Sequence, residues 1–91
     1  MTAVMTLAAR LDLTQARPLA DEIVAREGGD LTLDAGAVDH LGALSAQVLL
    51  AAAQAWARTG HRLTIAPRSA AFDDALAAMG LAGRLAMGTD E

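Results

Sequence analysis

The sequence predicts an α/β domain, a small and mostly parallel or mixed β-sheet with three to four helices, and three observations carry that reading. Short apolar runs alternate with amphipathic helical runs in the order strand, helix, strand, helix, strand, helix. The connections are only a few residues long, and each of the three helical runs stops at glycine. Such alternation favours parallel strands joined by right-handed helical crossovers. At 91 residues the chain has room for one core, so residues 1–91 read as a single domain, with residues 86–91 fraying at its end.

The first run, Ala3 to Ala9, mixes Val4, Thr6 and Leu7 without a 3.6-residue period and stops before the charged Arg10 and Asp12, which predicts a strand. Thr14 is the candidate N-cap of the first helix. Ala16, Leu19, Ala20, Ile23 and Val24 then recur at helical spacing up to the Gly28-Gly29 pair. Pro18 belongs in the first turn of that helix, where no donor is lost, so regular helix begins around Arg17. Leu31 to Asp34 alternate and form a second strand, which runs into an irregular turn. From Gly42 to Thr59 the residues Leu44, Val48, Ala51, Ala52 and Ala55 share one face, and Gly60 stands where a helix C-terminus needs glycine. Leu63 to Ala66 make a third strand, ended by Pro67. Ser69 caps a third helix that turns Phe72, Leu76 and Met79 inward and stops at Gly80-Leu81, followed by a partial turn over residues 81–85.

Composition narrows the function classes. The chain is 54% hydrophobic with a mean hydropathy of +0.33, enough apolar surface to offset the entropy of ordering. All seven basic residues are Arg against eleven acidic ones, and the net charge of −4 is the wrong sign for a nucleic-acid or anionic-membrane footprint. Without cysteine there is neither a disulfide framework nor a thiolate metal site. The most apolar stretch, residues 41–57, is broken by Ser45, Gln47 and Gln54 and falls short of the roughly 20 residues that span a bilayer. No signal peptide opens the chain, so a cytoplasmic location without membrane insertion is expected.

Chemistry-bearing residues are sparse. His40 and His61 do not form a metal-ligand pattern, so no metal is expected. Asp39, His40 and Ser45 fall in one turn, yet no G-x-S-x-G elbow surrounds the serine, and no catalytic residue is assigned. The glycines fit neither a dinucleotide fingerprint nor a P-loop, and no lysine exists to hold phosphate, so no cofactor is expected. Trp56 and Phe72 occupy packing positions and offer no stacking platform for nucleic acid. In a parallel sheet the loops after the strands share one edge, and binding sites gather there. That edge should collect Arg10 to Asp12, Asp39 to Ser45 and Pro67 to Ser69. Arg68 reads as a solvated side chain at its border.

The run Leu33-Asp34-Ala35-Gly36-Ala37-Val38-Asp39-His40-Leu41-Gly42-Ala43-Leu44-Ser45, continuing through Val48-Leu49-Leu50, resembles the central segment of a STAS domain. The stretch from His61 through Ala66-Pro67-Arg68-Ser69 to Met79-Gly80-Leu81 is similar to the family's strand, proline turn and following helix. This resemblance implies a STAS-like fold, and the chain's short ends leave an N-terminal strand pair open. The family's phosphorylatable switch reads Asp-Ser-Ser-Gly or Asp-Thr-Ser-Gly at the start of the central helix. Here Gly42 replaces the aspartate, Leu44 occupies the phosphoserine position and Ser45 stands at the glycine, so the phosphorylation cycle does not carry over and Ser45 is not expected to be modified. The Val-Asp-His-Leu-Gly-Ala-Leu run resembles small STAS proteins beside bacterial chemotaxis operons.

What the resemblance implies is a non-enzymatic module of bacterial signal transduction, docking on a histidine kinase or anti-sigma-type kinase. Its partner-binding residues are expected to be His40, Gly42, Ala43, Leu44, Ser45 and Gln47, with Arg68 alongside. A STAS subunit of a lipid-transport ABC complex bound to its ATPase is one alternative, and a stand-alone nucleotide or lipid binder is the alternative from a different functional class. A homodimer is left open.

Overall fold

A computed structural model describes residues 3–84. Three strands, β1 (Ala3–Thr6), β3 (Leu31–Ala35) and β5 (Leu63–Arg68), form a parallel sheet in the order β1-β3-β5. Two two-residue strands, β2 (Arg10–Leu11) and β4 (His40–Leu41), pair in parallel as a second small sheet. Helix α1 (Ala16–Val24) links the first and second main strands, α2 (Ala43–Thr59) the second and third, and α3 (Ala70–Ala78) follows the last. Both crossovers step across the sheet in the same direction, and right-handed connections of that kind place their helices on the same face.

Burial follows that geometry. Ala3, Leu31 and Leu63 stand in one cross-strand row and Met5, Leu33 and Ile65 in the next. Apart from the edge residue Ala3, all of these are buried, in one core with Leu19 and Ile23 of α1, Leu49 and Trp56 of α2, and Phe72 and Leu76 of α3. The alternate row, Val4, Thr32 and Thr64, faces the uncovered side and is exposed or half-exposed. Trp56 finds a partner for its ring N–H despite burial, donating to the Gly29 carbonyl at 2.8 Å. That bond fastens the long helix to the loop between α1 and β3.

Several boundaries differ from the sequence reading. The first apolar run does not stay one strand to Ala9; β1 stops at Thr6, and Arg10-Leu11 start a separate ladder with His40-Leu41. Thr14 does not cap α1. Gln15 stands at its N-cap position without a side-chain bond, and Asp12 caps instead the 3₁₀ turn over Leu13–Gln15 ahead of α1, its Oδ1 accepting from the Thr14 N–H at 3.1 Å and the Thr14 hydroxyl at 2.7 Å. Regular α1 ends at Val24, and turns carry the chain on to Gly28, whose φ of +101° only glycine adopts without strain. Pro67 does not end the third strand. The Ala66–Pro67 peptide is cis, and β5 continues to Arg68, because a register shift lets Ala35 face Arg68 two residues after Leu33 faces Ile65. Proline is tolerated there since β5 lies at the sheet edge. The C-terminal stop of α3 follows expectation: Gly80 has φ +74° and the Leu81 N–H donates to the Leu76 carbonyl at 2.8 Å. The turn expected to reach residue 85 is seen over residues 82–84, and residues 85–91, including the end expected to fray, lie outside the described residues.

Candidate functional site

The three loops expected at the carboxyl edge do come together, and backbone hydrogen bonds hold them there. Asp39 and His40 donate from their backbone to the Ala9 carbonyl at 2.7 and 3.1 Å, and the Gly42 N–H donates to the Leu11 carbonyl at 2.9 Å. Ser69 joins the third loop, its N–H donating to the Ala35 carbonyl at 3.1 Å and its hydroxyl donating to the Val38 carbonyl. The same hydroxyl accepts from the Phe72 N–H at 3.0 Å, so one side chain caps α3 and ties it to the turn before α2.

Gly42 sits where the loops meet α2. It is the N-cap, with φ −83° and ψ 164°, and no side chain caps the helix. A Cβ at this position would lie 3.1 Å from the Leu11 carbonyl oxygen, so any larger residue must widen the junction between β2 and α2. This close approach leaves little room for a side chain at residue 42. The first turn of α2 therefore presents Ala43 and Leu44 to solvent, with Leu44 50% exposed, and Gln47 lies exposed one turn further on. His40 is exposed beside them in β4.

Two of the seven expected contact residues are placed differently. Ser45 is 1% exposed and belongs under the helix, so it cannot present its side chain to a partner as the sequence reading expects. Helical geometry turns consecutive residues about 100° apart, so an outward Leu44 sends Ser45 toward the core. Its hydroxyl has no hydrogen-bond partner among the described residues. Removing that buried hydroxyl in Ser45→Ala is expected to raise stability by about 1 kcal/mol, since an unpaired buried polar group costs at least that much. Chemical denaturation of the two proteins would check it, and a loss of stability would mean that the hydroxyl has a partner. Arg68 is not a freely solvated side chain. Its Nε donates to Asp73 Oδ1 at 2.7 Å, its guanidinium carbon stands 5.2 Å from the centre of the Phe72 ring, and 18% of the side chain is exposed. It braces the start of α3 and leaves only a margin for a partner.

Leu13 is a surface residue that the sequence reading missed. It is 74% exposed in the 3₁₀ turn, which packs against α2, and Asp12 before it lies beside Gly42. Alternation along Leu11-Asp12-Leu13 would bury both leucines on one side of a strand. The Asp12 cap breaks that alternation, burying Leu11 and turning Leu13 outward. No local signal in the sequence announces this outcome.

Asp12 also gives the edge a pH dependence. Its hydrogen bonds from Thr14, first the hydroxyl and then the backbone N–H, with weaker attraction to Arg10 and His40, outweigh desolvation and hold its carboxyl below the usual carboxylate range. A depressed pKa means the contribution to stability is present above the ordinary aspartate value of about 3.9 and is lost as pH falls through the folded value. The 3₁₀ turn around Leu13 is therefore expected to loosen below about pH 4 while neutral pH leaves it intact. Amide exchange at Thr14 against pH would follow this, and an Asp12→Asn variant should show reduced protection at neutral pH.

Among the described residues no group of three or more His, Asp or Glu is placed to hold a metal ion, and no helix is long and apolar enough to cross a membrane. In comparison with known proteins, the family model described as Mlab, STAS domain matches residues 1–88 of this chain. No curated protein matches the sequence.

Proposed function

The chain belongs to the STAS domain family, and on that premise we propose that it is a non-enzymatic binding module of bacterial signal transduction that docks on a regulatory kinase in the cytoplasm. STAS domains are in general protein-interaction and regulatory modules, and the kinase, of the anti-sigma or chemotaxis histidine kinase type, is the partner class suggested by the Val38-to-Leu44 run. The observation that carries the docking surface is the pair of exposed leucines at one edge: Leu13 and Leu44 flank the junction of β2 with α2. Exposed large apolar side chains on a rigid edge are suited to act as anchors, with polar neighbours setting specificity at the rim. Here those neighbours are His40, Gln47 and the margin of Arg68. Docking proceeds without a phosphoserine switch, since Leu44 takes the usual phosphoserine position and the Ser45 hydroxyl is buried.

A second reading, a STAS subunit bound to the ATPase of a lipid-transport ABC complex, is favoured by the description of the matching family, in which Mlab stands beside the STAS domain. Both readings use the same edge and differ in the protein it meets. Affinity capture from the native organism with mass-spectrometric identification separates them: a kinase supports the first, and an ABC ATPase replaces it with the second. A melting shift with nucleotide or lipid and no protein partner would overturn both.

A further inference from the structure

We infer that Thr14 is a positioning residue of the docking edge, its hydroxyl holding Leu13 in the outward orientation on which partner affinity depends. This rests on the docking reading above and adds to it the group that controls one of its two anchors.

The two leucines are held very differently. Leu44 rides on a 17-residue helix, whose first turn is fixed by the Ala46 N–H donating to the Gly42 carbonyl at 3.0 Å and by the core beneath it. Leu13 belongs to a turn of three residues and is 74% exposed, so its own side chain contributes almost no packing that could hold it in place. Its direction is set by the backbone. That turn is closed by the Gln15 N–H donating to the Asp12 carbonyl at 3.0 Å and the Ala16 N–H donating to the Leu13 carbonyl. Such short 3₁₀ turns have poor hydrogen-bond geometry and little stability of their own.

Thr14 supplies the extra restraint. Its hydroxyl donates to Asp12 Oδ1 at 2.7 Å and its N–H to the same oxygen at 3.1 Å, so one residue holds the carboxylate from both side chain and backbone. Gln15, at the N-cap position of α1, makes no capping bond of its own. Without the hydroxyl, the run Leu11-Asp12-Leu13 is freer to follow strand alternation, which places Leu13 on the side of the buried Leu11. An anchor that must be ordered on contact costs affinity, and one fixed beforehand does not. The electrostatics of Asp12 agree with this arrangement: the Thr14 hydroxyl is the foremost influence that lowers its carboxyl, and Arg10 of β2 and His40 of β4 are the charged or titratable neighbours that act on it more weakly.

The test titrates the protein that the wild-type chain captures from its native organism, once purified, against wild type, Thr14→Val, Thr14→Ser, Leu13→Ala and the double variant Leu13→Ala with Thr14→Val. Thr14→Val keeps the β-branched shape and the backbone donor but removes the hydroxyl. Affinity is expected to fall about fivefold in Thr14→Val, to recover in Thr14→Ser, and to be unchanged by Thr14→Val once Leu13 is already alanine. That last comparison separates positioning of Leu13 from a general loss of stability. So does the Thr14 amide shift followed against pH in the free protein, whose midpoint should rise in Thr14→Val toward the ordinary aspartate value of about 3.9. Wild-type affinity in Thr14→Val, an equal loss with and without Leu13, or no recovery in Thr14→Ser would overturn the inference. Binding that survives both Leu13→Ala and Leu44→Asp removes the docking edge and the inference with it, whereas binding lost in those two and intact in Thr14→Val removes the inference alone.

Discussion

Leu44→Asp is expected to abolish recovery of the partner protein while the domain melts within a few degrees of wild type. Leu44 is half exposed on the first turn of α2, so the substitution removes little core packing. A new carboxylate there also lies at the positive end of the helix, where it helps rather than hurts the fold. At an interface the same change replaces an apolar anchor with a charge that must be desolvated, and truncating such anchors alone costs 2 kcal/mol or more, about thirtyfold in affinity. Leu13→Asp, on the other side of the Gly42 junction, should behave alike if the two leucines form one surface. Capture experiments with the three proteins side by side read the result directly. Loss in Leu44→Asp alone would confine the contact to the helix, and retention in both would remove this edge from the docking surface. An unfolded Leu44→Asp is the outcome that the observed exposure argues against.

Phe72→Ala is expected to destabilise the domain by about 3–5 kcal/mol. The side chain is fully buried, its ring supports the Arg68 guanidinium, and its N–H takes the Ser69 cap that also ties α3 to Val38. A domain of this size has on the order of 5–14 kcal/mol of stability in total, so the loss is a large share of it. Denaturant titration should show a lower midpoint with an unchanged slope. Because Ser69 and Val38 adjoin the docking edge, partner affinity should fall with stability in Phe72→Ala, whereas Leu44→Asp separates the two. A Phe72→Leu variant, which keeps most of the apolar volume, should recover much of both.

The strand–helix order, the inward Phe72 and Leu76 of α3, the Ser69 cap and the glycine stops at 60 and 80 were legible from periodicity and local cap chemistry, which depend on a few neighbouring residues. The inward face of α2 was not: of Leu44, Val48, Ala51, Ala52 and Ala55 only Ala52 is buried, because the helix turns Ser45, Ala46, Leu49 and Trp56 to the core instead. So was the gathering of three loops at one edge, since parallel strands with short connections leave them nowhere else to go. The start of β2 was not legible, because two residues carry no period and Arg10-Leu11 become a strand only by pairing with His40-Leu41. Pro67 misled for a similar reason: whether a proline ends a strand depends on whether its missing donor faces a neighbour or the sheet edge, and that is a property of the assembled sheet.

The site divides along the same line. Sequence by itself determined which residue types stand at the edge, and that charge and ligand sets for nucleic acid, thiolate metal or P-loop chemistry are missing from the chain. Only the tertiary structure decided which way the side chains face. It turned Leu44 out and Ser45 in, drew Arg68 onto Phe72 and Asp73, and placed Leu13 beside the start of α2. Residue identity is local, whereas exposure is the difference between a side chain and everything packed around it, and that packing is set by contacts between segments far apart in the chain.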